Sequence, residues 1–94
     1  MRLRLSRAAL RDLTEAVTYV AADNLDAAER LRERLLAAAD QLRRFPALGP
    51  SEANGRRIFT VPGTRFRLIY RAGPAEIAIL RILHGARQWP PARD

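Results

Sequence analysis

The sequence contains no cysteine and no lysine; each of its 17 basic residues is an arginine. Without thiols there can be no disulfide, thiolate nucleophile or sulfur-ligated metal, which excludes cysteine redox chemistry and suits a reducing compartment. His84 is the one histidine, and no acidic cluster lies near it in the chain. No metal-ligand set can be assembled from it, and neither metal nor cofactor is expected. The glycines Gly49, Gly55, Gly63, Gly73 and Gly85 are scattered one to a turn instead of being gathered into a phosphate-binding loop. Ser6 and Ser51 lack the context of a nucleophile elbow. No apolar run approaches the roughly 20 residues of a membrane span, and no stretch of signal-peptide length follows the basic residues 1–5. A soluble, cytoplasmic protein is therefore expected.

What the sequence does have is arginine, unevenly placed. The net charge is +7. Residues 1–11 carry Arg2, Arg4, Arg7 and Arg11 with no acid, residues 12–55 are net acidic, and residues 56–94 set eight arginines against Glu76 and Asp94. A positive field at both ends attracts nucleic acid or an acidic protein, and charge alone does not distinguish them. With 94 residues, of which 48% are hydrophobic, the chain can build one core, so a single domain over residues 1–94 is expected.

The periodicity divides the chain into layers. Leu3 and Leu5 alternate with Arg2 and Arg4, as in a short strand over residues 2–5. Ser6 is placed to cap a helix over residues 7–22, whose apolar stripe is Leu10, Leu13, Val17 and Val20. Asp26 with Glu29, or alternatively Asn24, opens a second helix with a stripe of Leu31, Leu35, Ala38, Leu42 and Phe45, ended by Pro46. The short linker predicts an antiparallel helix hairpin. The hairpin's carboxylates, Asp12 among them, are expected on solvated faces and at caps.

After a Pro- and Gly-containing loop over residues 46–56 the period changes to 2. Strands over residues 58–61, 65–71 and 76–84, joined at Pro62-Gly63 and Gly73-Pro74, read as an antiparallel meander. The fold class is thus α+β in the order β-α-α-β-β-β, with the helices on one face of the sheet. Phe66, Leu68 and Tyr70 should face the helices, leaving Arg65, Arg67 and Arg71 on the open face. The nearly all-apolar last strand should be central. If its Leu80 and Ile82 also turn to the helices, Arg81 joins the open-face arginines. Arg57 lies close by and Arg87 follows in the tail, where Trp89 either packs on the sheet edge or contacts a target.

Crowding cations on one sheet face is unfavourable unless a negatively charged ligand relieves it. Two chemistries fit. Arg65, Arg67, Arg71, Arg81, His84, Arg87 and Trp89 would make a target-binding surface. Alternatively, Arg57, Arg65 and Arg81 could stabilise a phosphorane while His84 moves a proton, a minimal RNA-cleaving set. The apolar stripes of the hairpin, half covered by a small sheet, would leave a groove into which a disordered partner could fold.

Local sequence adds a resemblance. Residues 5–9 (Leu-Ser-Arg-Ala-Ala) with Asp12-Leu13, Tyr19, Ala27-Ala28, Leu42 with Phe45-Pro46 and Gly49, Pro62-Gly63, residues 66–71 and the run His84-Gly85-Ala86-Arg87-Gln88-Trp89 together resemble the RelE/ParE toxin superfamily. The similarity is to its ParE-like branch, the plasmid stabilisation family, and spans nearly the whole chain. It implies a growth-inhibiting bacterial toxin neutralised by direct binding of a cognate, ParD-like antitoxin in a hetero-oligomer, with Leu10, Leu13, Val17, Leu31 and Leu35 of the hairpin as candidate contacts. ParE-like members poison DNA gyrase without chemistry, whereas RelE-like members are endonucleases that cut messenger RNA on the ribosome. The absence of lysine, and of a tyrosine or histidine after His84, leans to gyrase as the target. A harmless adaptor for an acidic protein fits the charge map too.

Overall fold

The computed structural model describes residues 1–85. The chain runs β1 (Arg2–Leu5), α1 (Arg7–Ala21), α2 (Leu25–Arg44), a short 3-10 turn (Ala53–Gly55), β2 (Arg57–Thr60), β3 (Phe66–Ala72) and β4 (Glu76–His84). This is the α+β order that the change of period predicts, with element ends moved by a residue or two.

Side chains fix the helix starts. The Ser6 hydroxyl accepts from the Ala9 amide at 3.0 Å, and the Asn24 side-chain Oδ1 accepts from the Ala27 amide at 2.9 Å. Asn24, not Asp26, therefore caps α2, leaving Asp26 in the first turn where a carboxylate complements the helix dipole. The buried stripe of α1 is Ala9, Leu13 and Ala16, with Val17 half-buried; Leu10 is 50% exposed, so the apolar face is rotated toward the alanines. The buried face of α2 is Ala28, Leu35, Ala38, Ala39 and Leu42. Phe45 does not continue it, because it is the non-helical cap residue (φ −131°, ψ 76°) and its ring is left mostly exposed.

The sheet order is β1-β4-β3-β2, with β1 parallel to β4 and the other pairs antiparallel. β4 is therefore central, as its apolar sequence requires. Its register against β3 slips once, from Ile69 opposite Arg81 to Tyr70 opposite Ile79, so Leu80 is the extra residue of a bulge. β1 ends at Leu5 opposite Ile79, beside this bulge. There Ser6 takes over, its amide donating to the Ile79 carbonyl and its hydroxyl to the Leu80 carbonyl.

The core lies between the helix hairpin and the face of the sheet carrying Leu68, Tyr70, Ile77, Ile79 and Ile82. Tyr70 is fully buried, yet its hydroxyl donates to the Pro46 carbonyl at 2.8 Å and accepts from the Gly49 amide at 2.9 Å. The loop after α2 is thereby tied to β3. Only glycine fits at position 49, since a Cβ there would lie 2.7 Å from the Ile58 carbonyl oxygen. At the β2–β3 turn, Gly63 (φ +75°) sits under the Arg34 guanidinium, which donates to the Pro62 carbonyl at 2.7 Å.

Substituting Tyr70→Phe should destabilise the domain by about 1–3 kcal/mol, because the buried Gly49 amide and Pro46 carbonyl lose their partner without any change in packing volume. Leu35→Ala should cost about 2–5 kcal/mol through the cavity it leaves. Both are read from urea midpoints at unchanged slope.

Candidate partner-binding surface on the open sheet face

Residues directly opposite in neighbouring strands project from the same face, so the register assigns the arginines. Arg67 lies between Thr60 of β2 and Leu83 of β4, and Arg71 lies opposite Ala78, all on the face away from the helices. Arg65 stands exposed just before β3, its carbonyl accepting from the Gly85 amide. Arg67 and Arg71 occupy the face that the alternation assigns to them.

Among the described residues, shallow depressions mark the open face. One, about 290 Å³ in volume, has Ile58, Ile69 and Leu83 for its floor and Glu52, Asn54, Arg56 and Arg67 around them. The other, about 380 Å³, is lined by Arg4, Arg56, Arg71, Glu76, Ala78 and Leu80 among others. Arg56 borders both. In the second, Glu76 already accepts from Arg4 at 3.0 Å. In the first, the Arg67 Nε is buried and has no hydrogen-bond partner among the described residues.

Arg57, Arg81 and His84 are placed differently. Arg57 pairs with Tyr70, so it belongs to the helix side of the sheet, where its guanidinium donates to the Gly49 carbonyl at 2.7 Å. Arg81 lies opposite Ile69 of the open face, but its guanidinium is not left there with the other arginines. The Arg81 guanidinium instead donates twice to Asp12 of α1, at 2.7 and 2.9 Å. Asp12 also accepts from the Ile82 amide at 2.9 Å, and its side chain is only 11% exposed. It thus departs from the solvated role expected of the hairpin's acids. Hydrogen bonding to Asp12 raises the Arg81 pKa beyond its usual value. His84 lies opposite Phe66, edge to face with ring centroids 4.9 Å apart, on the helix side of the sheet. Arg87 and Trp89 lie outside the described residues.

Arg57 and His84 of the candidate nuclease set are therefore not brought together. Arg57 and His84 are both on the helix side but sit opposite Tyr70 and Phe66, four residues apart along β3. That is about 13 Å along the strand before the width of the intervening strand is added. Arg81 is committed to α1.

On the hairpin, Leu13 and Leu35 are core residues, 8% and 1% exposed, and do not form a surface. Val17 and Leu31 are half-buried, and Leu10 is the stripe residue left on view, beside Arg11, Thr14 and Glu15. At the hairpin tip Tyr19 and Leu25 are 71% and 76% exposed. Periodicity missed both; an apolar residue standing off the stripe, as Leu25 does, is the signal that could have found it.

The fold and surface define a small basic α+β domain equipped to bind: cations over an aliphatic floor on one face, a helix hairpin with exposed apolar groups on the other. The family described as the ParE toxin of the type II toxin-antitoxin system, parDE, matches residues 3–89. The chain belongs to this family of toxins. It is 33% identical over 90 residues to the candidate toxin Y4kP of Sinorhizobium fredii, a match covering 95% of this chain and 93% of that protein. Among solved structures it is similar to a chain of the chromosomal ParDE TA system from P. aeruginosa, with a TM-score of 0.76 and 28% identity over 89% of this chain and 95% of that one.

The Asp12–Arg81 contact generates a prediction opposite to that for a free surface arginine. Asp12→Ala should lower stability by about 1.5–3 kcal/mol, since it removes charge-assisted hydrogen bonds and leaves the Ile82 amide unsatisfied. Arg81→Ala should also destabilise measurably. Thermal and urea unfolding read both, and wild-type stability of the two variants would refute the clamp.

Proposed function

We propose that the protein inhibits bacterial growth by binding, with DNA gyrase as the target, and that a ParD-like antitoxin silences it by direct contact in a hetero-oligomer. The observation that carries the non-enzymatic reading is the separation of Arg57, Arg81 and His84, each engaged with a different part of the fold. A phosphoryl-transfer site needs its acid, base and cations around one phosphate. The open-face cations Arg65, Arg67 and Arg71, with Arg87 and Trp89 following in sequence, are the proposed target contacts. The antitoxin is assigned to the hairpin around Leu10, Val17 and Leu31, whose apolar surface a folding peptide would cover. Leu13 and Leu35 support that surface from below.

Induction in a bacterial host should arrest growth, and co-expression of the antitoxin encoded beside the gene should restore it. Induction should also raise the DNA-damage response and stop replication while bulk messenger RNA stays intact. His84→Ala should retain most of the toxicity, whereas a nuclease using His84 as acid or base would lose about 10² to 10⁴ in rate. Messenger RNA fragments that appear with the wild type and vanish with His84→Ala would establish the RelE-like reading in place of this one. Normal growth at confirmed soluble expression would favour the adaptor.

A further inference from the structure

The proposed target contacts include Arg67 but do not say what its buried Nε–H donates to, and among the described residues it has no acceptor. Arg67 is held in the middle of the sheet, flanked by Thr60 and Leu83, so its Nε cannot simply swing into solvent. An unsatisfied buried donor is unfavourable and marks a place for an absent acceptor. The only carboxylate around the depression, Glu52, makes no ion pair with it among the described residues. The backbone amide of Glu52 donates to the Arg56 carbonyl, holding the rim at its place beside β2.

We infer that the depression around Arg67 is a subsite for a carboxylate carried on an acidic, aliphatic peptide segment of a partner protein. The floor of Ile58, Ile69 and Leu83 is aliphatic, and Ile69 and Leu83 are nearly buried, so it fits the methylene stem of a glutamate or a neighbouring leucine. Arg56, shared with the second depression, supplies a further cation beside it. The Nε edge of a guanidinium is a strong, directional donor to a carboxylate. Nucleic acid fits less well, because among the described residues no aromatic side chain lines either depression to stack a base, and Glu52 and Glu76 would face a continuous phosphate backbone. A peptide can space its carboxylates to avoid both.

The inference does not depend on gyrase or on the identity of the antitoxin, and its test needs neither. The full chain, labelled with nitrogen-15, is titrated with a short blocked peptide alternating leucine and glutamate, with its glutamine counterpart, with sodium acetate and with a short oligothymidylate. The Arg67 Nε–H resonance should shift and become protected from exchange with the glutamate peptide and not with the glutamine one. Arg67→Lys, which keeps the charge and loses the planar donor, should weaken that binding about tenfold to a hundredfold. Arg30→Lys, the same charge-conserving change on the exposed face of α2, should leave it within about twofold. The proposal is overturned if millimolar glutamate peptide leaves the resonance unmoved. It is likewise overturned if acetate shifts it as effectively as the peptide does, or if the oligothymidylate binds there more tightly. Because the resonance is read in the wild type, misfolding of a variant cannot mask the answer.

Discussion

The fold depends on how helix α1 replaces a missing stretch of strand. β1 pairs with β4 only as far as Ile79, leaving the next part of a central strand with an uncovered edge beside a bulge. Buried backbone groups there require partners. Ser6 and Asp12 supply them, the first through its hydroxyl to the Leu80 carbonyl and the second through its carboxylate to the Ile82 amide. Ser6 caps α1 and Asp12 lies in its second turn, so one rigid element serves both. Asp12 is in turn neutralised by Arg81 from the strand it supports, which allows a carboxylate to be 11% exposed without an isolated charge.

This clamp sets the relation between the two surfaces. It holds α1 across the end of β4, closing the hairpin over Leu68, Tyr70 and Ile82 and placing Leu13 and Leu35 inside. Leu10 then remains outside with the half-buried Val17 and Leu31 nearby. At the other end, Tyr70 secures the loop after α2, which brings Gly49 against Arg57 and draws that arginine to the helix side. Two of the chain's arginines are thus used to close the fold. The cations left on the open face, Arg56, Arg67 and Arg71, gather over an aliphatic floor as a surface for contact.

Membership of a toxin family and a surface suited to binding fit together physically. A face on which arginines outnumber glutamates is suited to associate with an oppositely charged partner, while the apolar side chains left exposed on the hairpin can be covered by a segment that folds as it binds. On the proposed assignment, target and antitoxin would address different sides of the same small domain. How occupation of one side affects the other would depend on the shared core, because α1 contributes to the groove and also holds β4.

Much of this was determined by the sequence by itself. The change of hydrophobic period from 3.6 to 2 laid out the order of elements, Ser6 marked the start of α1, and the alternation of Phe66 to Arg71 sorted β3 into its two faces. These features are local, fixed by helix and strand geometry within a few residues. Asp12, Arg57 and Arg81 were beyond its reach, for their roles depend on partners distant in the chain. One inserted residue at Leu80 breaks the alternation of β4 and sends Leu80 to the open face, and period-2 reasoning cannot see a bulge. Small residues misled as well: Ala9 and Ala16 took the buried stripe of α1 in place of Leu10, because close approach of helix and sheet favours a methyl group over a larger side chain. The pattern of residues determined which elements form; the tertiary structure alone decided which charges lock those elements together and which remain for a partner.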